Sequence, residues 1–149
     1  MNPRKIVVHT DVLVDHLVHA GRGRSILRMA MENFFCYTTV FTAIELFSIA
    51  RSEKERRNIE HVFSAMKILG LNARNAKKVG EWVSRQPPLP RFHLLIGGIC
   101  LEARLPLLVM DPSTFRGIKE LNVIPARRMQ KEVDSRKISG ATAYVTRKS

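Results

Sequence analysis

The stretch "KIVVHTDVLVDHL", residues 5–17, decides the fold. Lys5 to Val8 is a short apolar run of β-branched character, which predicts a buried strand. His9, Thr10 and Asp11 follow at once, and the apolar pattern then resumes. That change predicts a helix over 11–20, ended by Gly21 and Gly23. A strand that feeds a helix with almost no loop is the opening of a β-α unit. It also delivers a histidine to the carboxyl end of a buried strand, where open α/β sheets keep their ligands.

Outward from this stretch the alternation continues. Helices are predicted over 25–32, 40–50, 52–66, 72–85 and 91–103, and strands over 35–38, 105–109 and 121–124, with a helical turn at 112–117. Ser52 and Glu55 in "SEKE" have the spacing of a capping box. Pro90 opens the 91–103 helix, and "PPLP" closes the one before it. Strands separated by helices predict an α/β fold of three layers, a central and mostly parallel sheet flanked by helices. The expected organisation is one domain over 1–125 and a basic tail over 126–149.

The composition sets limits. A chain of 149 residues, 45% hydrophobic and 26% charged, suits one globular domain with a real core. The apolar runs are shorter than a membrane helix needs, and "MNPRKIVV" lacks the features of a signal peptide. Cys36 and Cys100 stand far apart in apolar surroundings, as free buried thiols of a cytoplasmic protein would. The 25 Lys and Arg outnumber the 13 Asp and Glu, for a net charge of +12. Such a field favours polyanions, nucleic acid above all. From Arg127 onward there are seven basic residues against two acids. Arg127, Arg128, Lys131, Arg136 and Lys137 are the expected nucleic-acid contacts, and "ATAYVT" is either a late strand or an arm.

The ends of the predicted strands offer the chemistry. His9 and Asp11 follow the first. Glu45, alone among "FFCYTTVFTAIELFSIA", sits on the helix after the second; an ionised carboxylate there calls for a partner or a cation. Asp111 follows the strand at 105–109, although "DPST" is equally the signature of a helix cap with Pro at the first position. His93 lies in the first turn of "RFHLLIGGICLEA", beside an expected core face of Phe92, Leu95, Ile96, Ile99, Cys100 and Ala103. Gly97, one turn on, is expected to leave space above the imidazole.

These motifs, "VVHTDVLVDHL", "TTVFTAIELFSIA", "RFHLLIGGICLEARLPLLVMDPSTF" and "LNVI", occur in the order and spacing of the PIN domain. Over residues 5–125 the chain most resembles the VapC branch, the toxin ribonucleases of bacterial toxin–antitoxin pairs. The resemblance implies a PIN-like fold, metal-dependent RNA cleavage, a small antitoxin wrapped on the helices after the first two strands, and a homodimer.

The chain departs from the family pattern at two places. His9 stands where the resemblance implies a metal-binding aspartate, and His93 stands at another. Thr42 and Glu45 keep the second motif, while the fourth reads Val109, Met110, Asp111 without its threonine. Histidine is 5 of 149 residues, so both replacements arising by composition alone is about a one-in-a-thousand event, and a shared cause is implied. The implied ligands are His9, Glu45, His93 and Asp111, with Glu45, Asp111 and Asp11 as the catalytic acids. Two imidazoles with carboxylates suit Mn²⁺, Zn²⁺ or Fe²⁺ better than Mg²⁺. Two readings stay open: a live site with a softer metal, or an inert module, without metal, that binds RNA or an antitoxin. A flavodoxin-like phosphate binder fits the alternation but lacks a Gly-rich phosphate loop.

Overall fold

The computed structural model describes residues 4–19 and 23–136. Strand β1 (Lys5–Val8) lies at the centre of a five-stranded sheet, with β2 (Phe35–Thr39) and β3 (Lys67–Leu69) on one side. On its other side lie β4 (Leu107–Val109) and β5 (Val123–Pro125), for the order β3-β2-β1-β4-β5. Every neighbouring pair is parallel. The linking segments are α1 (Thr10–His19), α2 (Ile26–Asn33), α3 (Val40–Ile49), α4 (Glu53–Phe63), α5 (Ala73–Ser84), α6 (Arg91–Ala103) and a 3-10 turn, Pro112–Phe115.

Side chains alternate across the strands and build two core layers. Ile6 and Val8 join Leu108 and the apolar stripes of α1 and α2 on one face. Val7, Leu107 and Val109 meet Ile96 and Cys100 of α6 on the other. The chain winds away from β1 in one direction through β2 and β3, then crosses to β4 and β5. That reversal puts a topological switch point between the carboxyl ends of β1 and β4, the crevice where such sheets bind ligands.

Most predicted elements are present, with several corrections. The 52–66 helix ends at Phe63, and the edge strand β3 follows it. Three residues are too few to show an alternating pattern, so the sequence did not announce it. Ser52 caps α4 by accepting the Glu55 N–H at 3.1 Å, but Glu55 reaches back to the N–H of Arg51, not of Ser52. The core face of α6 is Leu94, Ile96, Gly97, Gly98, Ile99 and Cys100, whereas Phe92 and Ala103 are exposed. Gly97 does not open space above an imidazole. A Cβ there would touch Trp82, Leu121 and Ile118, and one at Gly98 would come within 2.6 Å of Val79 Cγ1. Gly98 is what lets α5 lie close against α6, while a Cβ at Gly97 would make ordinary contacts only.

The boundary after residue 125 is also corrected. Residues 126–136 form a further helix, α7. Its Ala126, Met129 and Val133 are buried, the last two in the main core. Spacing of three and four residues puts them on one stripe, while Arg127, Arg128, Lys131 and Arg136 stay exposed. Lys137, "ATAYVT", Ala20 and Gly21 lie outside the described residues. No helix among the described residues is long and apolar enough to cross a membrane. Cys36 and Cys100 are free, with burial pushing both thiols up to about 12.

Candidate functional site

His9 is held by its backbone first. Its N–H donates to the Leu108 carbonyl at 2.9 Å, continuing the β1–β4 ladder, and its carbonyl accepts from Val12 N–H at 3.0 Å to start α1. The side chain therefore has little freedom and points into the fold, only 3% exposed. It meets Phe115 edge-on, with ring centroids 4.9 Å apart at 80°. His93 stands 5.5 Å from His9 at 71° and 5.4 Å from Phe115. Edge-to-face contact of this kind stabilises by about 0.5–1.5 kcal/mol beyond burial. Burial, and secondarily the facing His93, push the His9 imidazole down to about 4, so it is neutral at physiological pH.

The carboxylates around this aromatic cluster are already engaged. Asp11 Oδ2 accepts the backbone N–H of Met110 at 3.0 Å and of Asp111 at 3.1 Å, tying the start of α1 to the loop after β4. Burial raises the Asp11 pKa, against the lowering effect of those backbone bonds. Asp111 is exposed and caps the 3-10 turn. Its Oδ1 accepts from the Ser113 N–H at 3.0 Å and hydroxyl at 2.7 Å, which holds its pKa down. Glu45 Oε1 accepts from the Thr10 hydroxyl at 2.8 Å, and Thr10 Oγ1 lies 3.1 Å from that of Thr42. Thr42 is fully buried and receives the Thr39 cap of α3.

His9 and His93 are thus brought together, as the sequence implied, and Asp11 lies beside the same strand end. Among the described residues, no three His, Cys, Asp or Glu side chains are arranged to hold a metal ion. Asp111 faces outward into its own cap, Glu45 binds Thr10, and Phe115 fills space against both imidazoles. As placed, these residues do not fit a divalent metal centre. One feature runs the other way: His9 Nδ1, His93 Nδ1 and Asp11 Oδ1 are buried with no hydrogen-bond partner among the described residues. Each such atom costs about 1–3 kcal/mol unless something reaches it.

Phe115 was not singled out in the sequence. Its signal was slight, an aromatic at the end of "DPSTF" with nothing apolar beside it. The basic residues divide. Arg127 and Arg128 open α7 directly after β5, at the sheet's carboxyl edge. The helix then runs toward the other edge, where Glu132 pairs with Arg4 just before β1 at 3.3 Å. Lys131 and Arg136 are carried away from His9 with it.

No family model and no curated protein matches the chain. Solved structures do. VapBC-1 from nontypeable Haemophilus influenzae aligns with a TM-score of 0.66 at 18% identity, over 83% of this chain and 98% of that one. A toxin–antitoxin complex from Klebsiella pneumoniae gives 0.64 at 18%, over 81% and 97%. VapBC-5 from Mycobacterium tuberculosis gives 0.56 at 17%, over 83% and 99%. The fold is therefore PIN-like, of the VapC type.

Proposed function

We propose that this PIN-like, VapC-type protein has lost metal-dependent RNA cleavage and works by binding. The observation that carries the reading is His9: a neutral imidazole, packed on Phe115 and His93, occupies the position where the resemblance implies a metal-binding aspartate. Metal catalysis of phosphoryl transfer needs a cation that activates water and offsets charge building on the phosphate. The engaged carboxylates offer it no cluster.

What remains are surfaces. An apolar cleft of about 420 Å³ runs between α1, α3 and α4, walled by Val14, Leu17, Val18, Leu46 and Ile49. Val18 is 70% and Ile49 63% exposed, an arrangement suited to the apolar face of a partner helix. Several of the similar structures are toxin–antitoxin complexes, some of them DNA-bound, which supports a small antitoxin-type protein as the occupant. The basic outer face of α7 suits RNA by charge. Exposed Ile44, together with the Phe41–Phe92 pair, forms an apolar rim suited to a second copy, as the expected homodimer requires.

The test is RNA cleavage by the purified full chain with Mg²⁺, Mn²⁺ and Zn²⁺ in turn. No cleavage above a metal-free control is expected with any of them. Cleavage in Mn²⁺ or Zn²⁺ that His9→Ala abolishes would favour the second reading, a live site with a softer metal. That reading draws on the three unpartnered atoms of His9, His93 and Asp11.

A further inference from the structure

The five histidines fall into two groups. His9 and His93 belong to the strand end. His16, His19 and His61 line a separate cavity of about 270 Å³, where the carboxyl half of α1 meets the start of α2 and the carboxyl half of α4. Ser25, Arg28 and Asn58 complete its polar lining. Part of the arrangement is structural. Ser25 caps α2 by accepting the Arg28 N–H at 3.1 Å, and its Oγ lies 2.6 Å from His16 Nδ1. This contact fixes the orientation of the His16 ring on the cavity wall. Asp15 accepts the Ile26 N–H at 3.4 Å and pairs with His19 at 3.6 Å. These contacts satisfy the first turn of α2. They give no work to His61 or to the Arg28 guanidinium, neither of which joins an ion pair among the described residues.

We propose that this cavity binds a phosphomonoester. Three imidazoles, a guanidinium, an amide and a hydroxyl converge on it. No acid is among the described residues that line it, and the nearby Asp15 is already held by a backbone N–H and His19. A metal is the poorer occupant, because no three ligating side chains are arranged around an ion among the described residues and Arg28 stands on the same wall. The net charge of +12 concentrates phosphorylated ligands near the surface. A monoester carries up to two charges, with a second pKa of about 6, against the one charge of a diester. Charge complementarity therefore favours a terminal phosphate over an internal one. Histidine titrates in the same range. The groups around His16 are Asp15 and His19 on α1, Ser25 and Arg28 at α2, and Asn58 and His61 on α4. Burial and Arg28 lower the His16 pKa, and Asp15 partly restores it. A bound dianion opposes that lowering, so phosphate binding and protonation of His16 favour one another.

The test follows the histidine ring resonances of the full chain by NMR at about pH 6.5. The probes are inorganic phosphate, adenosine 5′-monophosphate, and one short oligoribonucleotide with a 5′-phosphate or a 5′-hydroxyl. Phosphate and the nucleotide should shift the resonances of His16, His19 and His61 in a saturable way, raise the titration midpoint of His16 and leave the His9 and His93 resonances unmoved. Arg28→Gln and His61→Gln should each weaken binding about tenfold, with unchanged melting temperatures showing that the fold is intact. Tighter binding of the 5′-phosphorylated oligonucleotide than of its 5′-hydroxyl twin assigns the site to RNA ends. Equal binding of the two, with saturable nucleotide binding, assigns it to free nucleotides. Shifts no larger than those from sodium chloride at equal ionic strength, or affinities unchanged in both variants, would overturn the proposal.

Discussion

His9 and His16 differ in their surroundings although only seven positions separate them. His9 is sealed between Phe115 and His93 at the end of β1. His16 sits on the wall of a cavity, hydrogen-bonded to Ser25 and facing Arg28. Burial lowers the pKa of both rings. In the first case the ring neighbours are another imidazole and a phenyl ring, and the result is an aromatic wedge. In the second there are donors on three helices, and the result is a receptive pocket. The comparison teaches that residue type alone does not make a histidine functional; what its neighbours leave open decides it.

The largest test of this contrast is His9→Asp. If the strand end is packing, an ionised carboxylate against Phe115 costs about 3 kcal/mol or more, read as a lower midpoint in urea unfolding. Adding Mg²⁺ to the double variant His9→Asp, His93→Asp should not restore the loss. Recovery of stability with Mg²⁺ would return the strand end to the metal-site class.

Next in size is the pH response. The folded pKa of His9, about 4, lies below its unfolded value of 6.5. Between those values the unfolded chain takes up a proton that the folded chain refuses. Stability is therefore full above pH 6.5 and falls as pH drops toward 4, by about 3 kcal/mol in total. His16 acts in the same direction, and Asp11, whose pKa is raised, acts against it. His9→Phe keeps the ring contacts and should flatten most of this slope. A slope unaltered by His9→Phe would place the titrating group elsewhere.

Asp11→Ala should cost about 2 kcal/mol, since it frees the N–H groups of Met110 and Asp111 together. Faster amide exchange at those two positions, with little change on α2, checks the effect. The smallest expected effect is that of metal on melting. Zn²⁺ or Mn²⁺ at pH 7.5 should leave the melting temperature of the native chain unchanged, because an ion that finds no site adds no binding free energy to the folded state. A clear rise that disappears in His9→Ala would show that the three unpartnered atoms are ligands.

The sequence by itself determined the layout. Apolar runs of four residues followed by helical stripes require buried strands joined by helices, and a parallel sheet follows because only crossovers of that length join such strands. The same local reasoning located the Asp111 cap, which depends on residues close in sequence, whereas the meeting of His9 with His93 was implied by the family resemblance. Local reasoning missed α7 because seven basic residues in the last stretch masked the Ala126, Met129 and Val133 stripe, and it placed Ile96, Ile99 and Cys100 of α6 in the core but wrongly added the exposed Phe92 and Ala103. How the side chains pack at the strand end was decided only by tertiary structure. Phe115 arrives there from beyond β4, and Asp11 spends its carboxylate on amides 99 and 100 positions away. The three-histidine cavity is likewise invisible in the chain, because His61 joins His16 and His19 only when α4 packs beside α1 and α2. Burial and partnership belong to surfaces assembled from distant segments, and no local spacing encodes them.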